Sequence, residues 1–73
     1  MEKGQPTNPI ELIGHTAGLV WHSLAENGPM SMSALGKEVA APKDTIMQAV
    51  GWLAREGKIR IDEIKRKKVI SLT

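Results

Sequence analysis

The residues of this chain best suited to chemistry are four consecutive bases, called here the basic run: Lys65, Arg66, Lys67 and Lys68. Adjacent positive charges suit a polyanion, above all the phosphate backbone of a nucleic acid. If all four neutralised phosphates, binding would weaken with salt with a slope of about −3 to −4 on logarithmic axes. The alternative is a solvated loop whose charges only keep the protein soluble.

Charge is distributed unevenly along the chain. Residues 1–41 contain two basic and four acidic residues, a net charge of −2, whereas residues 42–73 contain eight basic and four acidic residues, a net charge of +4. The C-terminal part is therefore electropositive, as expected where a phosphate backbone binds.

No residue pattern indicates catalysis or a metal site. His15 and His22 are the two histidines, and on a helix they would lie about 10 Å apart, too far to share one ion. The chain has no cysteine, its serines lie in no nucleophile-elbow motif, and no glycine-rich phosphate loop is present. We therefore expect a protein that is not an enzyme, with no metal, no cofactor and no evident small-molecule ligand.

The length of 73 residues allows one domain, predicted over residues 8–73 after an N-terminal tail at residues 1–7. A chain this short buries only about 60% of its unfolded surface, so we expect it to gain stability by forming a homodimer. No apolar run approaches the roughly 20 residues of a membrane-spanning helix, and the N-terminus lacks the apolar centre of a secretory signal. These features predict a soluble, cytoplasmic protein with no membrane partner.

The first helix is predicted from Asn8, a favoured N-cap followed by proline, to the helix-ending sequence Asn27-Gly28-Pro29. Its apolar residues recur at helical spacing and predict a buried stripe. The stripe consists of Ile10, Ile13, Ala17, Val20 and Leu24.

Two further helices and a hairpin follow. A short strand at Met30 precedes a second helix capped by Ser31 or Ser33, and a third helix begins at about Pro42 and ends before Gly57. Residues 46, 49, 50 and 53 of the third helix are expected to be buried. Alternation then predicts two strands, with Ile59 and Ile61 inward on one and Ile70 and Leu72 inward on the other. The basic run would form the loop, or wing, between them. This order predicts an α+β fold, a winged helix-turn-helix with three helices and a small antiparallel sheet.

The residues at 17–21, 27–28, 30–35 and 49–59 resemble a family of small stand-alone winged helix-turn-helix proteins of bacteria and archaea with no assigned function. The most specific part of the likeness is Gly51-Trp52-Leu53-Ala54-Arg55-Glu56. The resemblance covers nearly the whole chain after the tail. It implies the winged-helix fold and dimerisation, and it implies no particular ligand.

The third helix is the element that would enter the major groove in a DNA-binding winged helix. At about 100° per residue, burial of its apolar side turns Gln48 and Arg55 outward. Arg55 can pair with guanine or phosphate and Gln48 with adenine, while Lys43 can meet a phosphate near the helix start. Asp44 opposes this interpretation, because phosphates would repel it, and an intramolecular salt bridge is the alternative role for Arg55.

A dimer surface is the competing use of the exposed residues. Glycine inside a helix costs up to about 1 kcal/mol relative to alanine, so Gly14 and Gly18, beside Trp21, suggest a close neighbour. That neighbour is either another element of this chain or a helix from a second subunit. Exposed apolar residues concentrate in protein contacts, which adds further candidates: Leu12, Leu19, Met47 and Trp52. For Trp52 a place at the flank of the core is the alternative.

Two functional hypotheses remain. The first is a homodimer that binds duplex DNA, with the third helix at the major groove and the basic run on phosphates or the minor groove edge. The second is a protein-interaction module that uses Met47, Trp52 and the glycine face of the first helix without binding DNA. RNA binding, or service as an accessory subunit, is a further alternative.

Overall fold

A computed structural model of the chain describes residues 8–73, so the tail predicted at residues 1–7 lies outside the described residues. The elements follow the predicted order of three helices and three strands. They are α1 (Pro9–Asn27), β1 (Met30–Ser31), α2 (Met32–Glu38), α3 (Lys43–Arg55), β2 (Ile59–Ile64) and β3 (Lys67–Leu72).

The start and end of α1 are fixed by local hydrogen bonds. The Asn8 side-chain oxygen accepts from the backbone N–H groups of Ile10 at 2.8 Å and Glu11 at 3.4 Å. At the other end Gly28 has a φ of 80°, and its N–H donates to the carbonyl of Leu24 at 2.9 Å. The predicted cap and stop signals of this helix are both confirmed.

Local hydrogen bonds also fix the N-terminus of α2 and the C-terminus of α3. Ser31, not Ser33, caps α2, since its hydroxyl accepts from the N–H of Ala34 at 3.1 Å. The C-terminus of α3 is a Schellman motif, in which Gly57 has a φ of 75° and the N–H of Lys58 donates to the Leu53 carbonyl at 3.0 Å. Glycine is needed at this position because other residues rarely adopt such a φ.

The three strands form one antiparallel sheet in the order β1-β3-β2. Strand β3 is central, and Ile70 pairs with Met30 on one side and with Ile61 on the other. Helix α1 packs mainly against α3, and both helices cover one face of this sheet. The core between them contains Ala17, Val20, Leu24, Leu35, Val39, Ile46, Ala49, Val50, Leu53, Ile59 and Ile70.

Two residues predicted to be in the core are exposed, and Ile13 is half-buried. Ile10, in the first turn of α1, is 79% exposed, because the other helices pack farther along α1. Ile61 is 42% exposed: it shares a face with Ile59, but the described elements cover only the base of the hairpin. Of the predicted inward residues on the two strands, Ile59 and Ile70 are buried and Leu72 is half-buried.

The wing is shorter than predicted. Only Lys65 and Arg66 form the turn, whereas Lys67 and Lys68 belong to β3 and pair with Ile64 and Glu63 across the hairpin. The prediction that the whole basic run is a loop was therefore wrong. Charged side chains do not prevent strand pairing where they point into solvent, and all four residues of the run are exposed. No helix in residues 8–73 has the length and apolarity to cross a lipid bilayer.

Candidate nucleic-acid interface

The tip of the hairpin is a tight turn that projects the first two bases of the run. Lys65 and Arg66 have φ values of 51° and 70°, and the pair Ile64–Lys67 closes the turn below them. Positive φ at both central residues characterises a type I′ turn, whose twist matches that of the two strands. Neither residue is glycine or asparagine, so the positive φ values cost conformational energy.

The four residues of the basic run form no ion pair with a carboxylate among residues 8–73. Among residues 8–73 the one ion pair within 4.0 Å joins Arg60 to Asp62 at 3.3 Å. Glu63 lies opposite Lys68 in the strand register, yet the two form no ion pair at that distance. The positive charge predicted from the sequence is thus exposed in the folded chain.

A groove of about 530 Å³ runs between α3 and the hairpin. Its lining combines apolar side chains, called here the floor, with basic side chains, called the rim, and also includes Ser31, Ser33 and Gly51. Among the described residues, none that lines the groove carries a carboxylate. Lys43, at the first position of α3, lines this groove together with three members of the basic run, Arg66, Lys67 and Lys68. The fold therefore brings together four predicted nucleic-acid-binding residues that come from two separate parts of the chain.

The remaining candidates lie on the outer face of α3. Gln48 and Arg55 are exposed. Asp44, which precedes Gln48, and Gly51, which lies between the two, are exposed as well. Spacings of four, three and four residues place these side chains in one row along the helix. Arg55 stands in the last turn, about 10 Å along the axis from Gln48, and has no carboxylate within 4.0 Å among the described residues. The alternative role for Arg55 in an intramolecular salt bridge is therefore wrong within this part of the chain.

The residues predicted for a dimer contact occupy three different places. Gly14, Gly18, Trp21 and Trp52 line one groove between α1 and the end of α3, which we call the tryptophan groove. Both indoles are exposed, Trp21 by 43% and Trp52 by 48%. A Cβ atom added at either glycine would meet nothing within 4 Å among the described residues, so the alternative that this part of the chain itself requires the glycines is wrong.

The other three dimer candidates are outside the tryptophan groove. Leu19 is half-buried, packs against the core and lines a depression beside the end of α2. Leu12 is also half-buried, and Met47 lies in the groove between α3 and the hairpin. Sequence reasoning missed that groove, although the exposed Met47 and the alternation around Ile61 were the signals that pointed to it.

Three helices, a sheet of two long strands and one short one, and a basic hairpin wing define this molecule as a winged helix-turn-helix protein. Solved structures agree with that class, although sequence identities this low show the fold alone. The Zalpha domain of Carassius auratus PKZ, in complex with Z-DNA, has a TM-score of 0.74 and 20% identity, covering 84% of this chain and 97% of that one. TubR of Bacillus thuringiensis serovar israelensis, bound to 24 bp of tubC, has a TM-score of 0.71 and 21% identity, covering 93% and 83%.

A third similar structure, BpsR of Bordetella bronchiseptica, has a TM-score of 0.74 and 21% identity over 80% of this chain, but this chain spans only 42% of BpsR. The chain belongs to the winged helix-turn-helix domain family DUF2582, whose model matches residues 1–72. It is also 40% identical over 63 residues to the uncharacterized protein MJ1608 of Methanocaldococcus jannaschii, covering 82% of this chain and 89% of that protein. The predicted family resemblance and fold class are thus both confirmed.

Proposed function

We propose that this protein is a homodimer that binds duplex DNA and has no catalytic activity. Helix α3 lies at the major groove, and the hairpin contacts phosphates or the edge of the adjacent minor groove. The observation that carries the proposal is that Lys43, Arg66, Lys67 and Lys68 line one groove, to which the described part of the chain contributes no carboxylate. The protein would act in the cytoplasm, and residues 8–73 would form its single domain.

The geometry supports contact with the DNA backbone more strongly than reading of bases. The basic side chains of the hairpin and Lys43 provide positive charge, which suits phosphates and carries no sequence information. On the outer face of α3, Gln48 and Arg55 are the side chains with donors for base edges. Asp44 in the same row repels phosphates, so few base contacts would be made. DNA-bound TubR and Z-DNA-bound Zalpha add support, because each uses the same fold.

The tryptophan groove supports the homodimer. Two half-exposed indoles beside two helical glycines form an apolar surface at which a second backbone can approach closely. In this proposal Gly14, Gly18, Trp21 and Trp52 form the centre of the contact. Leu12, Leu19 and Met47 remain predictions as interface residues, since they lie outside this groove.

Salt-dependent binding tests the DNA assignment. The anisotropy of a labelled mixed-sequence duplex is measured against salt for the unmodified protein and for a variant with all four residues of the basic run changed to Gln. For each bound subunit, the log–log slope of the unmodified protein should be steeper by about 3 to 4 than that of the variant. A matched pair of single changes, Lys68→Gln and Lys37→Gln, separates position from charge, because Lys37 lies in the last turn of α2 and does not line the groove. Absence of binding by the unmodified protein at low salt would refute the assignment.

Sedimentation tests the dimer. Gly18→Leu places a branched side chain in the tryptophan groove, and Gly36→Leu is the matched control, because Gly36 is also an exposed helical glycine with nothing within 4 Å of an added Cβ. We expect a dimer for the unmodified protein and the control, and a monomer for Gly18→Leu. A dimer in all three proteins would exclude this surface as the contact.

The second candidate function is a protein-interaction module without DNA binding, which the exposure of Trp52 and Met47 favours. The two candidates differ in one result. A protein that sediments as a stable, folded species and shows no salt-sensitive binding to duplex DNA would support the interaction module.

A further inference from the structure

The groove between α3 and the hairpin contains more exposed apolar surface than contact with phosphates requires. Met47 is 55% exposed and Ile61 is 42% exposed, and both line the groove. Met32, Val50 and Ile70 complete the floor. A phosphate is strongly hydrated, and a hydrated anion gains nothing from an apolar floor. A ligand that uses the whole groove must therefore carry an apolar body of its own.

The basic rim indicates the charge that the ligand must carry. Lys43, Arg66, Lys67 and Lys68 line the groove, and no acidic side chain of residues 8–73 does. A cationic ligand would be repelled, and a neutral hydrocarbon would leave the rim charges without a partner. The volume of about 530 Å³ lies within the roughly 300–1,000 Å³ of small-molecule sites.

From this combination we infer that the groove binds a small, dissolved amphipathic carboxylic acid. The apolar body of the acid lies on Met47 and Ile61, and its carboxylate pairs with bases of the rim, where charge-assisted hydrogen bonds are strongest. Methionine suits such a floor because its flexible thioether adapts to ligands of different shape. Lys43 and the basic run are also the proposed phosphate contacts, so, resting on the proposed function, the acid and DNA exclude each other.

Binding to the groove is tested without DNA. Decanoate, below its micelle concentration, is titrated into protein carrying labelled Met and Ile methyl groups. The Met47 and Ile61 methyl signals should shift and saturate. Decylammonium, with the same chain and opposite charge, and acetate, with the carboxylate alone, should each bind at least about tenfold more weakly, because each lacks one half of the recognition.

Two variants locate the site. The floor variant Met47→Gln/Ile61→Thr keeps side-chain size and strand propensity, and it should weaken decanoate binding about tenfold through lost apolar contact. The matched control is Ile64→Thr, since Ile64 is an exposed residue of the same strand that does not line the groove. It should leave the decanoate affinity unchanged within about twofold. Equal loss in both variants, or equal binding of decylammonium, would each overturn the inference.

The exclusion of DNA is tested separately. Saturating decanoate should lower the affinity for the mixed-sequence duplex, and decylammonium should not. Methyl shifts at Met47 together with unchanged DNA affinity would refute the exclusion and leave the acid site standing. Methyl shifts in a protein that never binds DNA would refute the proposed function and not the site.

Discussion

The turn at the tip of the hairpin makes a prediction in which stability and DNA binding change in opposite directions. Lys65 and Arg66 hold φ values of 51° and 70°, a conformation that costs an L residue with a Cβ about 1–2 kcal/mol. Asn-Gly is the sequence that a type I′ turn prefers. A change at Lys65 alone is not sufficient, because Arg66 has the larger φ, so the test changes both: Lys65→Asn/Arg66→Gly.

The expected gain follows from the two positions. Removing the backbone strain of the positive φ at Arg66 stabilises the folded state by about 1–2 kcal/mol. The greater conformational freedom of glycine in the unfolded chain offsets roughly 0.5–1 kcal/mol of that gain. Asparagine in place of Lys65 contributes a further fraction. The net gain in the free energy of unfolding should be about 1 kcal/mol, which raises the Tm of a domain this size by about 4–8 °C. Thermal and urea unfolding measure both values.

A second double variant separates backbone conformation from charge. Lys65→Gln/Arg66→Gln removes the same two charges and keeps side chains that disfavour a positive φ. Only the Asn-Gly protein should be more stable. Both should bind DNA with a salt slope shallower by about 1.8 for each bound subunit, the value for two lost phosphate contacts. If the Gln pair gained as much stability as the Asn-Gly pair, charge repulsion and not backbone strain would be the cause. Unchanged stability of the Asn-Gly protein would refute the assignment of the turn.

Three single substitutions test other parts of the argument. Thr16 is fully buried and its hydroxyl has no hydrogen-bond partner among the described residues, so Thr16→Val should stabilise the protein by about 1 kcal/mol in urea unfolding; a loss of stability would reveal a partner for the hydroxyl. Asn8→Ala removes the cap of α1 and should lower the free energy of unfolding by about 1 kcal/mol, and an unchanged value would show that the cap contributes nothing. Gly51→Ala should raise helix stability by up to about 1 kcal/mol, since a Cβ there meets no atom of the described residues within 4 Å. If α3 approaches DNA closely along this row, Gly51→Ala should also weaken duplex binding, and unchanged binding would place the DNA elsewhere.

Local signals in the sequence predicted the elements well. The cap at Asn8, the stop at Gly57 and the alternation around Ile70 are each decided within a few residues, and the structure has all three. The errors concern burial, which depends on where a neighbouring element in the fold ends. Periodicity predicted burial for Ile10 and Ile61, which are exposed, because it cannot say where the covering helix ends.

The candidate site was only partly predictable for the same reason. Charge identified the basic run, yet the meeting of Lys43 with the hairpin depends on the packing of α3 against the sheet. The length of the turn was also missed, because Lys67 and Lys68 are poor strand formers by type. Their place in β3 is set by pairing with Ile64 and Glu63, an interaction between segments that no single window of sequence contains.

Helix α3 was predicted to contribute both to a DNA contact and to a dimer contact. Because it lies between two grooves, the two contacts can use different sides of the helix. Met47 lines the groove beside the hairpin and Trp52 lines the tryptophan groove beside α1. These residues are five apart, so their side chains diverge by about 140° around the helix axis. A second subunit bound at Trp52 would therefore leave Lys43 and the hairpin open, and DNA bound at the hairpin would leave the tryptophans open. In that arrangement Gly18→Leu should lower DNA affinity only by removing the second binding site, and the anisotropy titration should give the monomer about half the salt slope of the dimer.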